Sequence, residues 1–219
     1  MVIAERKPIE EIRAMLDGHK RVLLLGCQEC VTVCMAGGSK EVALLASALR
    51  MVEPDKEFME STVERQCERE YLEEARGAAE GCDLILSMGC GAGAGFASDI
   101  IEGIQVVPAL NTKSIGVVDE PGSWVERCMA CGECMLHLTG GLCPIALCSK
   151  SLLNGPCGGS QGGMCEVDQE NVKCGWQLIH DRLKSLGRED LLEEIRPPKD
   201  WSAAHDGGPR RVVREDAMA

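Results

Sequence analysis

Aromatic residues are scarce: three Trp, two Phe and one Tyr in 219 residues. A core with so few large side chains needs another source of cohesion, above all in the second half, where apolar runs are short; bound metal would supply it. Long apolar runs are missing as well, since nothing approaches the roughly 18 residues of a membrane span. No leader is expected either, because Met1-Val-Ile-Ala-Glu5 runs straight into a charged helix, with neither a basic n-region nor an apolar h-region. The expectation is a cytoplasmic chain, in reducing surroundings where thiols bind metal or react instead of pairing as disulfides. Positive charge is short: 23 Lys and Arg stand against 35 Asp and Glu, for a net charge of -12. That argues against a nucleic-acid or anionic-lipid surface and suits a partner with a basic face. The length allows one or two domains with a modest core.

What the chain has in excess is cysteine, fourteen in all. Cys128, Cys131, Cys134, Cys143, Cys148, Cys157, Cys165 and Cys174 crowd one stretch. Cysteine also serves as a small buried hydrophobe, but three thiolates spaced by two residues can converge from one tight loop on a single centre. Eight thiolates make two four-cysteine sites, each holding either a tetrahedral zinc or a [4Fe-4S] cube. Zinc sites pair Cys-x2-Cys knuckles, whereas three cysteines at two-residue spacing suit three corners of a cube. Clusters are therefore favoured over zinc. One set is expected from Cys128, Cys131 and Cys134 with either Cys143 or Cys148, and the other from the remaining four. Which cysteine crosses over is left open by spacing. Gly155, Gly158, Gly159, Gly162 and Gly163 surround Cys157 and Cys165, as wrapping a chain around a bulky inorganic core requires.

The first half has an α/β rhythm. Pro8 to Asp17 reads as a short packing helix with Ile9, Ile12 and Leu16 on one face. Arg21 to Gly26 reads as a buried strand, followed from Ser39 by a helix with Val42, Leu45, Ala46 and Leu49 inward. Glu57 to Val63 is predicted as a second strand, with a helix from Glu68, and Asp83 to Met88 as a third. The glycine-rich turn Gly89 to Gly95, a short helix near Ala97 to Gly103, and strands at Gln105–Pro108 and Ser114–Val118 complete the pattern. The fold class is thus α/β: a small, mostly parallel sheet with flanking helices, followed by a cysteine-rich, loop-dominated iron-sulfur module. A parallel sheet gathers sites at its carboxyl edge, and Cys27, Cys67 and Cys90 each fall at or just beyond a strand end. With Cys30 and Cys34 in the first loop, a third cluster is expected on Cys27, Cys30, Cys34 and Cys90, with Cys67 the rival for one position. Cys82, at the start of a strand, is expected to be structural. A phosphate cradle at Gly89–Gly95 is an alternative, but a dinucleotide fingerprint follows the first strand, where cysteines stand here. A Cys27/Cys30 redox disulfide is a further alternative, weakened by the third cysteine.

Asp119 to Ser123 reads as a turn-rich linker, giving expected segments 1–120 (α/β domain), 121–196 (two-metal module with closing helices) and 197–219 (extended docking tail). Trp176 to Leu186 is an amphipathic helix stopped at Gly187, with His180 facing solvent.

The stretches Cys143-Pro144, Lys150-Ser-Leu-Leu-Asn-Gly-Pro-Cys-Gly-Gly-Ser160, Gly163-Met-Cys-Glu-Val167 and Cys174-Gly-Trp176 resemble the methylenetetrahydrofolate reductase C-terminal family. Cys27-x2-Cys30-Val-Thr-Val-Cys34-x2-Gly37-Gly38 and Pro197-Pro-Lys-Asp-Trp201 look like the small-subunit form of that family. The resemblance implies a two-subunit reductase. A separate TIM-barrel partner would hold FMN and reduce 5,10-methylenetetrahydrofolate to 5-methyltetrahydrofolate, while this chain relays electrons from a donor such as a ferredoxin or a flavin/iron-sulfur complex. No folate chemistry is expected on this chain, which is too short in strands for the roughly 250-residue barrel. Zinc remains the alternative metal, with the chain then a structural adaptor that recruits the catalytic subunit. A thiol redox catalyst at Cys27–Cys34 is the weaker third reading.

Overall fold

Val22-Leu-Leu-Leu25 places four consecutive apolar residues between Arg21 and Gly26, a pattern that suits a strand covered on both faces. In the computed structural model, which describes residues 1–217, the chain forms two compact units, Met1–Trp124 and Val125–Ala219. The first unit runs β1 (Val2–Arg6), α1 (Ile9–Met15), β2 (Arg21–Cys27), α2 (Cys30–Val33), α3 (Ser39–Val52), β3 (Glu57–Val63), α4 (Arg69–Ala79), β4 (Leu84–Ser87), α5 (Gly91–Ile100), β5 (Gln105–Pro108) and β6 (Leu110–Glu120). β7 (Ser123–Cys128) carries the chain out of it, and the second unit holds α6 (Pro144–Leu147), the short pair β8 (Met164–Cys165) and β9 (Asp168–Lys173), and α7 (Gly175–Ser185).

The main sheet is parallel with strand order β3-β2-β4-β5. Alternate side chains of β2 feed two cores. Val22 and Leu24 pack with Ile12, Leu16, Val42, Leu45 and Leu49 of the first helices. Leu23 and Leu25 pack on the other face with Leu72, Ala75, Ala97 and Ile100 of α4 and α5. Each such leucine contributes about 1.5–3 kcal/mol, which makes β2 the axis of the unit. Asp83 ties the amino edge of the sheet, its carboxylate accepting the backbone N–H groups of Lys20 at 2.9 Å and Arg21 at 3.1 Å. From β2 the chain adds β3 on one side, then crosses back to add β4 on the other. The carboxyl ends of β2 and β4 therefore flank a switch point, where open α/β sheets leave a crevice.

Four expectations are revised in this unit. Residues 2–6, read as leading straight into a helix, form β1, which pairs antiparallel with β6 in a separate sheet of order β1-β6-β7. The predicted Ser114–Val118 strand belongs to that sheet and not to the parallel one; most of β6 past Leu110 is at least partly exposed, as an antiparallel strand with one solvated face permits. The supposed linker at Asp119–Ser123 is a hairpin, with Gly122 at φ +86° in its turn. The glycine run is no free turn either, because α5 starts at Gly91 within it and ends at Ile100 instead of spanning Ala97–Gly103. Helices α1, α3 and α4 and strands β2 to β5 fall within a residue or two of their predicted spans.

The second unit is held by a small core in which Trp176, Ile179 and Leu183 of α7 meet Leu191, with Leu138, Leu142 and Leu152 around them. The Trp176 indole N–H donates to Leu152 O at 2.9 Å. Arg196 lies over the Trp176 ring, 5.7 Å from its centroid, and donates to the carbonyls of Leu153, Leu138 and Leu191 at 3.0–3.2 Å. One guanidinium thus ties three loops together. The segment from Pro197, expected as an extended docking tail, has short 3-10 turns at Trp201–Ala203 and His205–Gly207 and folds back on the Cys128–Cys134 loop. Lys199 pairs with Glu133 at 3.2 Å, and Arg210 donates to Ala130 O at 2.8 Å. Among the described residues no helix is long and apolar enough to cross a membrane.

Candidate metal centres

Cys27 is the last residue of β2, Cys30 opens α2, Cys67 sits in the loop between β3 and α4, and Cys90 caps the start of α5. All four fall at the carboxyl edge beside the switch point. Cys67 is exposed as a residue, yet partial desolvation of its sulfur pushes the thiol up, and the neighbouring thiolates of Cys90, Cys27 and Cys30 add to the rise. A group of thiols that repel one another as anions is relieved by a cation placed among them. Cys34, expected as a ligand ahead of Cys67, is buried in the same cluster as Cys27, Ile3, Ala4 and Val31, with Cys90 packed against it; its Sγ–H donates to Val2 O at 3.3 Å, and burial, with the neighbouring Cys30 thiolate, pushes its thiol up. The partner it bonds lies on β1, the strand that the sequence reading did not anticipate. Cys82 is buried against Met59, 3.5 Å from its Sδ, a packing position.

In the second unit the eight thiols separate into two groups. Cys128, Cys131, Cys134 and Cys143 line one cavity of about 160 Å³. Cys148, Cys157, Cys165 and Cys174 line another, with room for only about 10 Å³. The first group comes from a loop that turns twice in succession, with Ala130 at φ +49° and Gly132 at φ +84°, so its three thiols share one side. The Ala130 N–H donates to Cys128 Sγ at 3.3 Å, a contact that lowers negative charge on a ligand sulfur. Cys143 joins from the N-cap of α6. In the second group Cys174 is the N-cap of α7. Burial pushes its thiol up, but the Ser160 hydroxyl and the backbone N–H groups of Gln177 and Trp176 outweigh that and hold it below its ordinary value. Cys157 donates to the Glu166 carboxylate at 3.1 Å, and Lys150 pairs with the same oxygen. The Gly-rich loop is thereby closed across its own cysteines. Gly159 admits this arrangement, since a Cβ there would meet the Glu166 side chain.

The donor sets are all thiols, which select zinc or iron-sulfur centres over hard cations. Among the described residues no three His, Cys, Asp or Glu groups stand close enough to hold one metal ion. One buried donor near the first-unit thiols also lacks an acceptor. The Trp124 Nε1–H has no partner, and its ring packs on the cluster that contains Cys27, with Cys90 beside it. Trp124, Glu166, Lys150 and Gln66, which precedes Cys67, carried no spacing signal in the sequence. Only their adjacency to cysteines or to a strand end could have marked them. His180 is exposed and pairs with Asp181 at 3.0 Å.

Neither the curated proteins nor the solved structures provide a match to the chain. Residues 107–202 match the family model described as "Methylene-tetrahydrofolate reductase C terminal". That span, less than half of the chain, includes both thiol groups of the second unit and none of Cys27, Cys30, Cys67 or Cys90, so the similarity is confined to the C-terminal part.

Proposed function

We propose that this chain is the electron-transfer subunit, of the small-subunit MetV type, of a two-subunit methylenetetrahydrofolate reductase, with three four-cysteine centres. The observation that carries the reading is the separation of the second unit's eight thiols into two groups of four around two cavities. The ligand sets are Cys128, Cys131, Cys134 and Cys143; Cys148, Cys157, Cys165 and Cys174; and, at the sheet edge, Cys27, Cys30, Cys67 and Cys90. Cys34 is left out of the last set because its thiol is engaged by the Val2 carbonyl.

[4Fe-4S] cubes bound there would carry single electrons. The chain's own residues supply the thiolates, the backbone N–H donors that neutralise them, and the packing that excludes water from Cys174 and Cys27. FMN and the folate belong to a separate TIM-barrel subunit, and the electrons come from a cytoplasmic donor such as a ferredoxin or a flavin/iron-sulfur complex. The exposure of Cys67, Cys128 and Cys134 supports this reading, because both the first and second units then offer a centre near their surface. Anaerobically purified protein is expected to be brown, to bleach with dithionite, and to carry about twelve iron per chain. Colourless protein with stoichiometric zinc would sink the proposal.

A second reading rests on the tightness of the space among Cys148, Cys157, Cys165 and Cys174, about 10 Å³, which suits a single zinc more readily than a cube. In its full form both groups of the second unit hold zinc, and the chain is an adaptor that recruits the catalytic subunit. Measuring iron and zinc in the same sample separates the two readings site by site.

A further inference from the structure

Gln66 is a polar side chain with no access to solvent, and its surroundings are specific. Its Nε2 donates to Leu25 O at 2.7 Å. Its Oε1 accepts the Ser87 hydroxyl at 2.6 Å, and the same hydroxyl oxygen accepts the Gly89 N–H at 3.2 Å. These three bonds join the end of β2 two residues before Cys27, the loop residue next to Cys67, the end of β4, and the residue next to Cys90. Two glycines of the glycine-rich run are explained by the same side chain. A Cβ on Gly89 would lie 2.6 Å from Gln66 Oε1, and one on Gly93 would lie 2.8 Å from Gln66 Cβ. The N–H of Gly91 donates to the Thr112 hydroxyl at 2.8 Å.

We infer that Gln66 is a positioning residue for the first unit's thiol set: its carboxamide, locked between Leu25 and Ser87, sets Cys67 and Cys90 opposite each other and beside Cys27. The inference rests on the reading of Cys27, Cys30, Cys67 and Cys90 as one ligand set, and it assigns the geometry of that set to a residue that touches no metal. Burial makes the device stiff. An unpaired amide or hydroxyl in this interior forfeits its solvation without compensation, so the bonds hold the loop in a single arrangement.

The test uses the full chain with Gln66→Met, which keeps the side-chain length and removes both hydrogen bonds, and Ser87→Ala, which removes the bridge. In metal-free protein a short bifunctional alkylating reagent reads how often the Cys67 and Cys90 thiols meet. The yield of the Cys67–Cys90 adduct, quantified by mass spectrometry, should fall at least five-fold in either variant, while far-UV circular dichroism stays that of the parent. In anaerobically reconstituted protein, Gln66→Met should lose about four iron per chain or shift the EPR signal that Cys27→Ala abolishes. Parental adduct yield together with parental iron and EPR in Gln66→Met overturns the inference. If Cys27→Ala removes no metal, the ligand-set reading fails independently, and the adduct yield alone then decides whether Gln66 positions the two loops.

Discussion

The partition of thiols is open to a direct experiment, because the second unit's eight cysteines line two separate cavities. Three sets of four cubane ligands correspond to about twelve iron, so each centre accounts for about a third of the total. Replacing one ligand by alanine removes a donor that no neighbouring water or hydroxyl reproduces, so a complete loss is about four iron from about twelve. Cys143 lines the cavity of the Cys128–Cys134 loop, and Cys148 lines the cavity with Cys174. Cys143→Ala and Cys148→Ala should therefore each lose about a third, and the double variant about two thirds. Cys128→Ala combined with Cys143→Ala should lose no more than either alone. Cys34→Ala and Cys82→Ala should retain all the iron, since both thiols are engaged in packing. The assay is iron and sulfide per chain on anaerobically isolated protein, with EPR of the dithionite-reduced samples to identify the missing signal. Non-additive loss for the Cys143 and Cys148 pair would show that they share one centre, and iron loss in Cys34→Ala would restore that residue to the first set; either result refutes the assignment.

Trp124→Phe keeps an aromatic ring and removes an indole N–H that has no protein acceptor. If that donor serves a sulfur of the adjacent thiol set, a hydrogen bond of about 1 kcal/mol corresponds to about 40 mV for one electron, and the midpoint potential of that centre should fall by about this amount in a redox titration; an unchanged potential excludes the bond. Arg196→Met removes the donor that ties three loop carbonyls, and should lower the unfolding free energy of the second unit by about 2–3 kcal/mol, read as a shifted midpoint of denaturant unfolding. In the first unit, burial pushes the Asp83 carboxyl up, but the N–H groups of Lys20 and Arg21 outweigh it and hold the carboxyl below its usual range. With the folded value below the unfolded one, the stabilisation is complete above about pH 4 and is lost as pH falls through the folded value. Asp83→Asn should flatten the acid limb of stability against pH and cost only about 0.5 kcal/mol at neutrality, because the side chain is half exposed. An acid limb identical to that of the parent would show that the carboxylate does not contribute.

The sequence by itself determined the elements whose signal is local. The unbroken apolar run of β2, the helical spacing of Val42, Leu45 and Leu49 or of Trp176, Ile179 and Leu183, and the Cys128-x2-Cys131-x2-Cys134 loop each reflect the short-range geometry of a strand, a helix or a tight turn. For the same reason it could place Cys27, Cys67 and Cys90 at strand ends, and could recognise motifs that the family match then covered. Strand order and partner choice are not local quantities, so β1 went unseen and Ser114–Val118 was assigned to the wrong sheet. Only the tertiary structure decided that β2 and β4 flank a switch point, that the Cys34 thiol donates to a carbonyl of β1, and that Cys143 and Cys148 line different cavities. Each of those facts depends on which side of a folded loop a thiol emerges from. Gln66 states the difference most clearly: in sequence it is one polar residue in a charged loop, and only folding buries it between two strands where its amide has a single set of partners.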